Sequence, residues 1–370
     1  MKPLEEKEQV KIEQLMGLLE GVGKLLILTH DNPDPDAMSS VAALRYLIEE
    51  RAHTKVYAAY SGMLGRSENR AMMRLLNLNI KQMKSIKLSN FDAIALIDTQ
   101  PGAGNNILPE GKIPLIVIDH HPVRRNSKKA TFIDIRPEAG TTVGIMTEYL
   151  RAAKVPIPAN LSTALAYGII SETQDLGRQA TEEDVDSFVY LFPRVNQKLL
   201  AKIRWAKVPK EFYDIISRAV DSALIFRNII SVKLGQVQNP DMIPLIADFL
   251  LRLERVSWSV VTGLCRNRLF ISIRSSNIHA RAGRLIRKAL AGRGSAGGHT
   301  MSSGGQIDLR RVAQDERLQA EDKTMISLLD AMRVKDRSKM YPLLGVPAKG
   351  SNKGNNNGYN IGSNENGRGR

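Results

Sequence analysis

Cysteine is nearly absent from this chain of 370 residues, which contains Cys265 alone. A single thiol excludes an intrachain disulfide and a zinc site built from several thiolates. Cys265 lies in an apolar run typical of a strand, so we interpret it as a buried structural thiol. Thiolate metal clusters are therefore excluded.

Long apolar runs are absent as well. No uninterrupted run approaches the roughly 18 residues that a membrane span requires. The first residues, MKPLEEKEQVKIEQ, are charged and lack the apolar core of a signal peptide. We therefore expect a cytoplasmic protein that has no membrane partner.

Acidic residues are missing from one long stretch of a chain whose formal net charge is +15. Between Glu254 and Asp308 there is none, whereas the same stretch contains Arg255, Arg266, Arg268, Arg274, Arg281, Arg284, Arg287, Lys288 and Arg293. This one-sided charge indicates a phosphate-bearing partner, with a basic surface that binds no specific ligand as the alternative. Aromatic residues make up only 5%, which favours a short or small substrate over a long strand stacked on aromatic rings.

Short apolar runs alternate with helical patterns in the first half of the chain. The patterns predict strands at Lys24–Thr29, 55–60, 93–97 and 115–118, and helices at 5–20, 38–50, 142–153 and 160–171. Such alternation favours an α/β fold, with a parallel sheet and helices on both of its faces. Ligands of such folds bind beyond the carboxyl ends of the strands.

The second half of the chain has a different pattern, with short strand-like runs after Ser222 and helical patterns at 241–252, 279–291 and 316–333. We expect a first domain at 1–195, a helical linker at 196–221 and a smaller mixed α/β domain at 222–340. The remainder, 341–370, is rich in Asn, Gly and Ser, a composition that predicts a disordered tail.

Polar patches follow the predicted strands and one predicted helix. They are His30-Asp-Asn-Pro-Asp34-Pro-Asp36, Asp98-Thr99, Asp119-His120-His121 and Ser171-Glu172-Thr173-Gln174-Asp175. One Asp after a strand is often only a helix cap, and one His is often only a surface residue. Their joint occurrence at element ends instead predicts a site for a divalent ion such as Mn²⁺ or Mg²⁺, which carboxylates and imidazoles bind.

In this order, His30-x-x-x-Asp34-x-Asp36, Asp98 and Asp119-His120-His121 resemble the motifs of the DHH phosphoesterase family. That family includes RecJ-type exonucleases, nanoRNases that also hydrolyse adenosine 3′,5′-bisphosphate, cyclic dinucleotide phosphodiesterases and family II inorganic pyrophosphatases. The resemblance covers about residues 20–180. A weaker resemblance of about 222–340 is to the DHH-associated C-terminal domain.

The resemblance implies two metal ions, with Mn²⁺ expected and Mg²⁺ or Co²⁺ as options. His30 and Asp34 would hold one ion, and Asp36 and His120 the other. Asp98 would bridge the two. The catalytic residues would be Asp98, Asp119 and His121.

The roles of the remaining motif residues also follow from the resemblance. Asp119 would orient a ligand histidine, and His121 would face the substrate phosphate or the leaving group. The fourth motif of the family usually supplies an Asp, but this sequence has Glu172 in that place. Glu172 is the expected ligand, and Asp175 is a second candidate.

In the second domain, Gly297-Gly298-His299 resembles the Gly-Gly-His signature of the DHH-associated domain, and Arg274 resembles its substrate-binding arginine. We therefore expect a metal-dependent phosphoesterase acting on short RNA or DNA oligonucleotides or a small nucleotide such as adenosine 3′,5′-bisphosphate. A cyclic dinucleotide phosphodiesterase and a non-catalytic nucleotide- or RNA-binding protein are the alternatives. The oligomeric state stays open, with a homodimer as one option.

Overall fold

A computed structural model of the chain describes residues 3–83, 87–298 and 300–345. The chain divides into two compact units. The first is Met1–Asp214 with Val237–Leu245, and the second is Ile215–Gln236 with Ile246–Arg370. The domain boundaries expected at 195 and 221 stay predictions, and most of the expected tail, 346–370, lies outside the described residues.

The first unit contains a sheet of six parallel strands with helices packed on it. Its strands are β1 (Lys24–Leu28), β2 (Lys55–Tyr60), β3 (Lys81–Gln82), β4 (Ala93–Ile97), β5 (Ile116–Asp119) and β6 (Phe132–Ile135). Its helices are α1 (Pro3–Leu19), α2 (Pro35–Arg51), α3 (Ser67–Leu75), α4 (Thr142–Ala152), α5 (Ala159–Glu172), α6 (Glu182–Leu191) and α7 (Gln197–Arg204).

The strand order β3-β2-β1-β4-β5-β6 fixes where this sheet can hold a ligand. The chain leaves β1 toward β2 on one side and returns to β4 on the other, so the connections diverge between β1 and β4. Ligands of doubly wound sheets bind at this switch point, beyond the carboxyl ends of the strands. The residues that follow β1 and β4 are His30 and Asp98, both members of the predicted patches.

Alternation along the strands supplies a core on each face of the sheet. In β1, Leu25 and Ile27 join the larger core beneath the α-helices, whereas Leu26 and Leu28 join the smaller core on the opposite face. This is the two-residue period of a strand that is buried on both faces. The predicted parallel sheet with helices on both faces is confirmed, the second face being covered by loops and short 3₁₀ helices such as Leu88–Asn90.

Helix α2 begins within the first polar patch. The Asp34 carboxylate caps it by accepting a hydrogen bond from the Ala37 amide at 3.0 Å, and Pro35 occupies the first turn. The helix is buried along most of its length, and Ser39 donates a 2.7 Å hydrogen bond to the carbonyl of Ala164 in α5. The position of Asp34 and Asp36 is therefore set by a deeply anchored helix.

The second unit contains a mixed sheet of seven strands, in the order β11-β12-β10-β9-β8-β7-β13. These strands are β7 (Leu224–Phe226), β8 (Ile229–Gln236), β9 (Trp258–Cys265), β10 (Arg268–Ser275), β11 (Ser295–Gly298), β12 (Ser302–Asp308) and β13 (Tyr341–Pro342). Helices α10 (Ala282–Ala289) and α11 (Arg317–Ala331) contribute to its hydrophobic core. Helix α8 (Lys210–Ser222) precedes β7, and α9 (Met242–Leu250) contains the point at which the division between units falls.

The four strands predicted in the first half are present, and none of their ends moves by more than one residue. The elements of this sheet and its surroundings that were not predicted include the amphipathic helix α3 and the strands β3 and β6. Tyr341–Pro342, expected in the disordered tail, forms β13 and pairs with β7. Among the described residues, no helix is long and apolar enough to cross a membrane.

Candidate metal centre

Eight predicted residues of the first unit form what we call the acidic–histidine cluster. They come from the ends of β1, β4 and β5, the first turn of α2 and the last residue of α5: His30, Asp34, Asp36, Asp98, Asp119, His120, His121 and Glu172. Because parallel strands end at the same edge of the sheet, residues distant in sequence converge there. The switch point predicted by the strand order is thus where the chemistry-bearing side chains lie.

Asp98 occupies the centre of the cluster. Its Oδ2 lies 3.4 Å from Nε2 of His30, and its Oδ1 lies 3.7 Å from Nε2 of His120. The hydroxyl of Thr142 donates a 2.7 Å hydrogen bond to Oδ1. One carboxylate therefore faces two separate imidazoles with its two oxygens, which is the geometry of a group that can bridge two cations.

The first potential ion position is surrounded by His30, Asp34 and Asp98, whose ligand atoms lie within 4.8 Å of one another. Asp34 Oδ2 lies 3.7 Å from His30 Nε2, while Asp34 Oδ1 caps α2. His30 Nδ1 lies 2.9 Å from the carbonyl of Asp31, which favours a proton on Nδ1 and leaves Nε2 for a cation.

The second potential position is next to Asp36 and His120. His120 Nε2 lies 3.7 Å from Oδ2 of Asp36 and at the same distance from Oδ1 of Asp98. The Asp36 carboxylate accepts hydrogen bonds from the Thr142 and Val143 amides at 2.9 and 2.7 Å. These are amides of the first turn of α4, where the helix dipole stabilises negative charge. Helix α4 thus fixes Asp36 directly and Asp98 through Thr142.

The two carboxylates beside the histidines differ in their pKa shifts. Burial and the charge of Asp98 raise the pKa of Asp36 well above its ordinary value. Burial would also raise the pKa of Asp34, but its hydrogen bond and charge interaction with His30 outweigh burial and lower it. Of these two carboxylates, only Asp34 has a histidine contact that outweighs the effect of burial on its pKa.

The imidazoles have pKa values above the ordinary range. Burial would lower the pKa of His30, but hydrogen bonds to Asp34 and Asp98 hold it well above 6.5. Burial and the charge of His121 would lower the pKa of His120, yet the charges of Asp36 and Asp98 raise it. The crowded carboxylates favour protonation of the neighbouring imidazoles. A divalent cation bound among them would balance the same negative charge. The donor set, which is oxygen and imidazole nitrogen only, suits Mn²⁺, Mg²⁺ or Co²⁺.

A hydrogen-bonded chain runs from Gln100 through Asp119 to His121. Gln100 Nε2 donates to Asp119 Oδ2 at 2.6 Å, and Asp119 Oδ1 accepts from His121 Nδ1 at 2.8 Å. Gln100 Oε1 accepts from the Arg124 amide and the Ser127 hydroxyl, each at 2.7 Å. This buried glutamine was not predicted as a site residue, because a polar residue after a strand looks like any other loop residue in the sequence.

The same chain determines which histidine Asp119 orients. Asp119 was expected to orient a metal-ligating histidine, and this role stays a prediction; its hydrogen-bond partner is His121, whereas His120 Nδ1 lies 3.3 Å from the Ala139 carbonyl. Burial would lower the pKa of His121, but the hydrogen bond to Asp119 raises it to about 9. The His121 side chain is 40% exposed, so its protonated imidazole places a positive charge at the solvent edge of the cluster at neutral pH.

The backbone is strained at two residues beyond the carboxyl ends of the strands. Asp98 and Asn32 have φ angles of 55° and 56°, in the left-handed region that Asp and Asn enter more readily than most residues. The Asp98 amide donates a 3.0 Å bond to the Ile118 carbonyl, and the Asn32 side chain accepts one from the Met63 amide at 2.8 Å. Such strain, held by specific contacts, is typical of functional sites.

The two candidates for the fourth motif have different surroundings. Burial and the charge of Asp34 raise the pKa of Glu172, and His120 and Arg178 act in the opposite direction. Asp175 instead is 65% exposed and pairs with Arg204 at 2.8 Å. Glu172 therefore interacts with the cluster, whereas the contact of Asp175 is an ion pair at the surface.

The residues predicted to bind substrate lie in the second unit. Arg274 Nε donates a 2.8 Å bond to Asp248 Oδ1, and the side chain is only 12% exposed. Gly298 has a φ of 131°, and a Cβ there would lie 2.4 Å from the Ser302 carbonyl oxygen, so only glycine fits. Strand pairing places Arg274 opposite Ser302, and Gly298 opposite Ser303, so they are close within one sheet. His299 lies outside the described residues.

Comparisons with known proteins agree with this picture. Residues 24–169 match the family model described as the DHH family, N-terminal domain. An uncharacterized protein from Methanocaldococcus jannaschii is 34% identical over 322 residues, which are 85% of this chain and 65% of that protein. A probable manganese-dependent inorganic pyrophosphatase from Lactobacillus johnsonii is 25% identical over 174 residues, 46% of this chain and 54% of the relative. This chain therefore spans less than two thirds of either relative.

A solved structure extends the likeness in fold over both units. The crystal structure of an exopolyphosphatase-related protein from Bacteroides fragilis matches with a TM-score of 0.63 and covers 88% of this chain and 98% of its own. At 14% identity this likeness concerns the fold alone. The segment that matches the DHH family N-terminal domain model, residues 24–169, contains every member of the acidic–histidine cluster except Glu172.

Proposed function

We propose that this protein is a metal-dependent phosphoesterase that hydrolyses short RNA oligonucleotides, adenosine 3′,5′-bisphosphate or both. The observation that carries the proposal is Asp98, whose two carboxylate oxygens face His30 and His120 separately. A carboxylate between two imidazole groups is suited to bridging a pair of cations. Within the DHH family we place the chain with the nanoRNase type, and we interpret its second unit as the DHH-associated domain.

The residues present fit two divalent ions. His30, Asp34 and Asp98 would hold one ion, and Asp36, Asp98, His120 and Glu172 the other. When bound, a metal pair of this kind polarises a phosphoryl oxygen and lowers the pKa of water. Mn²⁺ is our first candidate, supported by the name of the Lactobacillus johnsonii relative, and Mg²⁺ and Co²⁺ also suit the donors.

Other residues of the chain handle charge and protons. A protonated His121, held through Nδ1 by Asp119, places positive charge where the phosphate gains negative charge, and it can give a proton to the leaving oxygen. Gln100 keeps Asp119 in position, so that the imidazole presents the same edge to each substrate. The expected role of His121 toward the phosphate or leaving group is therefore retained.

The second unit would recognise the substrate. Arg274 is held in a fixed orientation by Asp248, and an oriented guanidinium is suited to a terminal phosphate. Gly297 and Gly298 have no side chains, and a Cβ at Gly297 would meet nothing within 4 Å, so a phosphate or base can approach the backbone there. His299 completes this proposed substrate-binding set.

A panel of substrates with Mn²⁺ tests the function. It compares a diribonucleotide, short RNA, adenosine 3′,5′-bisphosphate, cyclic di-AMP and pyrophosphate, using the wild type and Asp98→Asn. We expect turnover of the first three by the wild type only. Preferred turnover of cyclic di-AMP or of pyrophosphate would replace the proposed substrate class, and the similarity to the Lactobacillus johnsonii protein makes pyrophosphate the more pressing rival. RNA binding without turnover of any substrate would establish the non-catalytic alternative.

A further inference from the structure

One helix of the second unit presents a row of basic side chains to solvent. We call this row the α10 basic face, and its exposed members are Arg281, Arg284, Arg287 and Lys288. The opposite side of α10 is buried in the core of the unit through Ala282, Ile286 and Ala289. The helix therefore separates a packed apolar side from a side that consists of positive charge.

The charges of this face are not compensated by neighbours. Among the residues that the structure describes, none of its four members forms an ion pair. Exposed basic residues elsewhere in the unit do, for example Lys233 with Asp322 and Arg310 with Asp308. The chain offers no acidic residue between Glu254 and Asp308. An ordinary solvated surface mixes signs, so this face is prepared for a negatively charged partner.

Helix stability does not explain the charges either. Arg287 and Lys288 lie in the last turn of α10, where positive charge interacts favourably with the helix dipole. Arg281 and Arg284 are at the opposite end, where positive charge is unfavourable. Arg281 also occupies the N-cap position with a left-handed φ of 55° and makes no capping hydrogen bond. Two of the four charges thus oppose the helix that carries them.

The pattern fits the sugar–phosphate backbone of a nucleic acid. Arg281, Arg284 and Lys288 follow the i, i+3, i+7 spacing of one helix face, with neighbouring side chains roughly 5–6 Å apart, so long arms can contact successive phosphates. No Phe, Trp or Tyr occurs between Phe270 and Tyr341, so near this helix in sequence the bases find none of the larger aromatic side chains to stack on. A membrane-binding helix would instead need an exposed apolar side, and that side of α10 is buried.

We propose that the α10 basic face binds the phosphate backbone of single-stranded oligonucleotide substrates, so that longer strands bind more tightly than dinucleotides. The proposal rests on the oligonucleotide substrate proposed above and adds a surface that selects for strand length. Helix α10 packs against β11, which contains Gly297 and Gly298. A strand on α10 would therefore lie beside the glycines proposed to contact a phosphate or base of the substrate.

The test uses Arg284→Ala/Arg287→Ala/Lys288→Ala, which spares the left-handed Arg281. The matched control is Lys198→Ala/Lys202→Ala/Lys207→Ala, which removes three exposed charges from the first unit. For each protein, fluorescence anisotropy gives the Kd for 12-nucleotide RNA and DNA at several salt concentrations. Turnover with Mn²⁺ gives kcat/KM for RNA of 2, 5 and 12 nucleotides.

We expect the α10 variant to bind both 12-mers at least tenfold more weakly. The slope of log Kd against log salt should fall by about 2, since single strands lose roughly 0.7 per phosphate contact. Its kcat/KM for the dinucleotide should stay within twofold of the wild type, and the control variant should behave as the wild type. Equal losses on the 2-mer and 12-mer, an effect confined to RNA, or the same weakening in the control would each overturn the proposal. Absence of all turnover would refute the proposed function alone, because anisotropy measures binding to the α10 basic face independently of turnover.

Discussion

The side-chain amide of Gln100 donates a 2.6 Å hydrogen bond to the buried carboxylate of Asp119, which in turn holds His121. Gln100 precedes Asp119 by 19 residues in the sequence, and its side-chain oxygen accepts hydrogen bonds from the Arg124 amide and the Ser127 hydroxyl. The amide therefore connects a loop scaffold to the imidazole expected to meet the substrate. Positioning of this kind is what catalytic geometry depends on.

Replacing Gln100 with Ala should impair turnover more than folding. We expect kcat to fall by about 10- to 100-fold, the usual cost of losing a residue that orients a catalytic group. The free energy of unfolding should fall by about 1–3 kcal/mol, because Asp119 loses a buried hydrogen bond. Gln197→Ala, at an exposed position of α7, is the control and should leave both quantities unchanged. An unaltered kcat in Gln100→Ala would refute the positioning role.

A buried ion network predicts how stability depends on pH. Asp134 accepts hydrogen bonds from Lys11, Arg136 and Tyr149. Burial would raise its pKa, but Arg136 outweighs burial and lowers it. A lowered pKa in the folded state stabilises the protein above the unfolded value of about 3.9, and this stabilisation is lost as pH falls through the folded pKa.

Asp134→Asn should therefore lower the free energy of unfolding at pH 7 by about 2–3 kcal/mol. The difference from the wild type should narrow below about pH 4, where Asp134 becomes protonated in the unfolded wild type before it does so in the folded state. Urea denaturation at a series of pH values measures this difference in the free energy of unfolding. Asp186→Asn breaks the exposed ion pair with Arg151 and should cost no more than about 1 kcal/mol. A pH-independent difference for Asp134→Asn would contradict the account.

Two helical glycines predict opposite effects of the same substitution. A Cβ on Gly168 in α5 would lie 2.9 Å from the Ser39 hydroxyl and 3.1 Å from the Pro35 carbonyl, whereas a Cβ on Gly17 in α1 would meet nothing within 4 Å. Gly168→Ala should destabilise by about 1–3 kcal/mol through overpacking against α2. Gly17→Ala should stabilise by up to about 1 kcal/mol through helix propensity. Thermal denaturation of both variants measures these changes in stability. Stabilisation by Gly168→Ala would show that α2 and α5 pack less closely than the structure indicates.

The sequence predicts the parts of the fold that depend on local pattern. The apolar runs of β1 and β4 predict these strands, whereas α2 begins three residues before the predicted start at residue 38, because Asp34 caps it. Strand β6 escapes because it is short and includes Asp134, whose burial depends on Arg136 and on partners in other helices. Non-local pairing decides such a segment, and a local pattern cannot report it.

The candidate site shows the same division. Its metal-binding residue types are visible in the sequence because they recur at element ends. The hydrogen bond between Asp36 and the first turn of α4 joins residues that are 106 positions apart, so no local sequence pattern predicts it. Gln100 is hidden for the same reason, since its partners belong to a different loop. The acidic–histidine cluster was thus predictable, but the groups that hold its members in place were not.

Calorimetric titration of Mn²⁺ into chelator-treated protein tests the central claim, that Asp98 joins two cation positions. The wild type should bind two ions, and Asp98→Asn should lose at least one and bind any remaining ion at least tenfold more weakly. Asp175→Asn, which alters only the surface ion pair with Arg204, should bind like the wild type. Fewer than two ions on the wild type, or two ions bound by Asp98→Asn with undiminished affinity, would contradict the account.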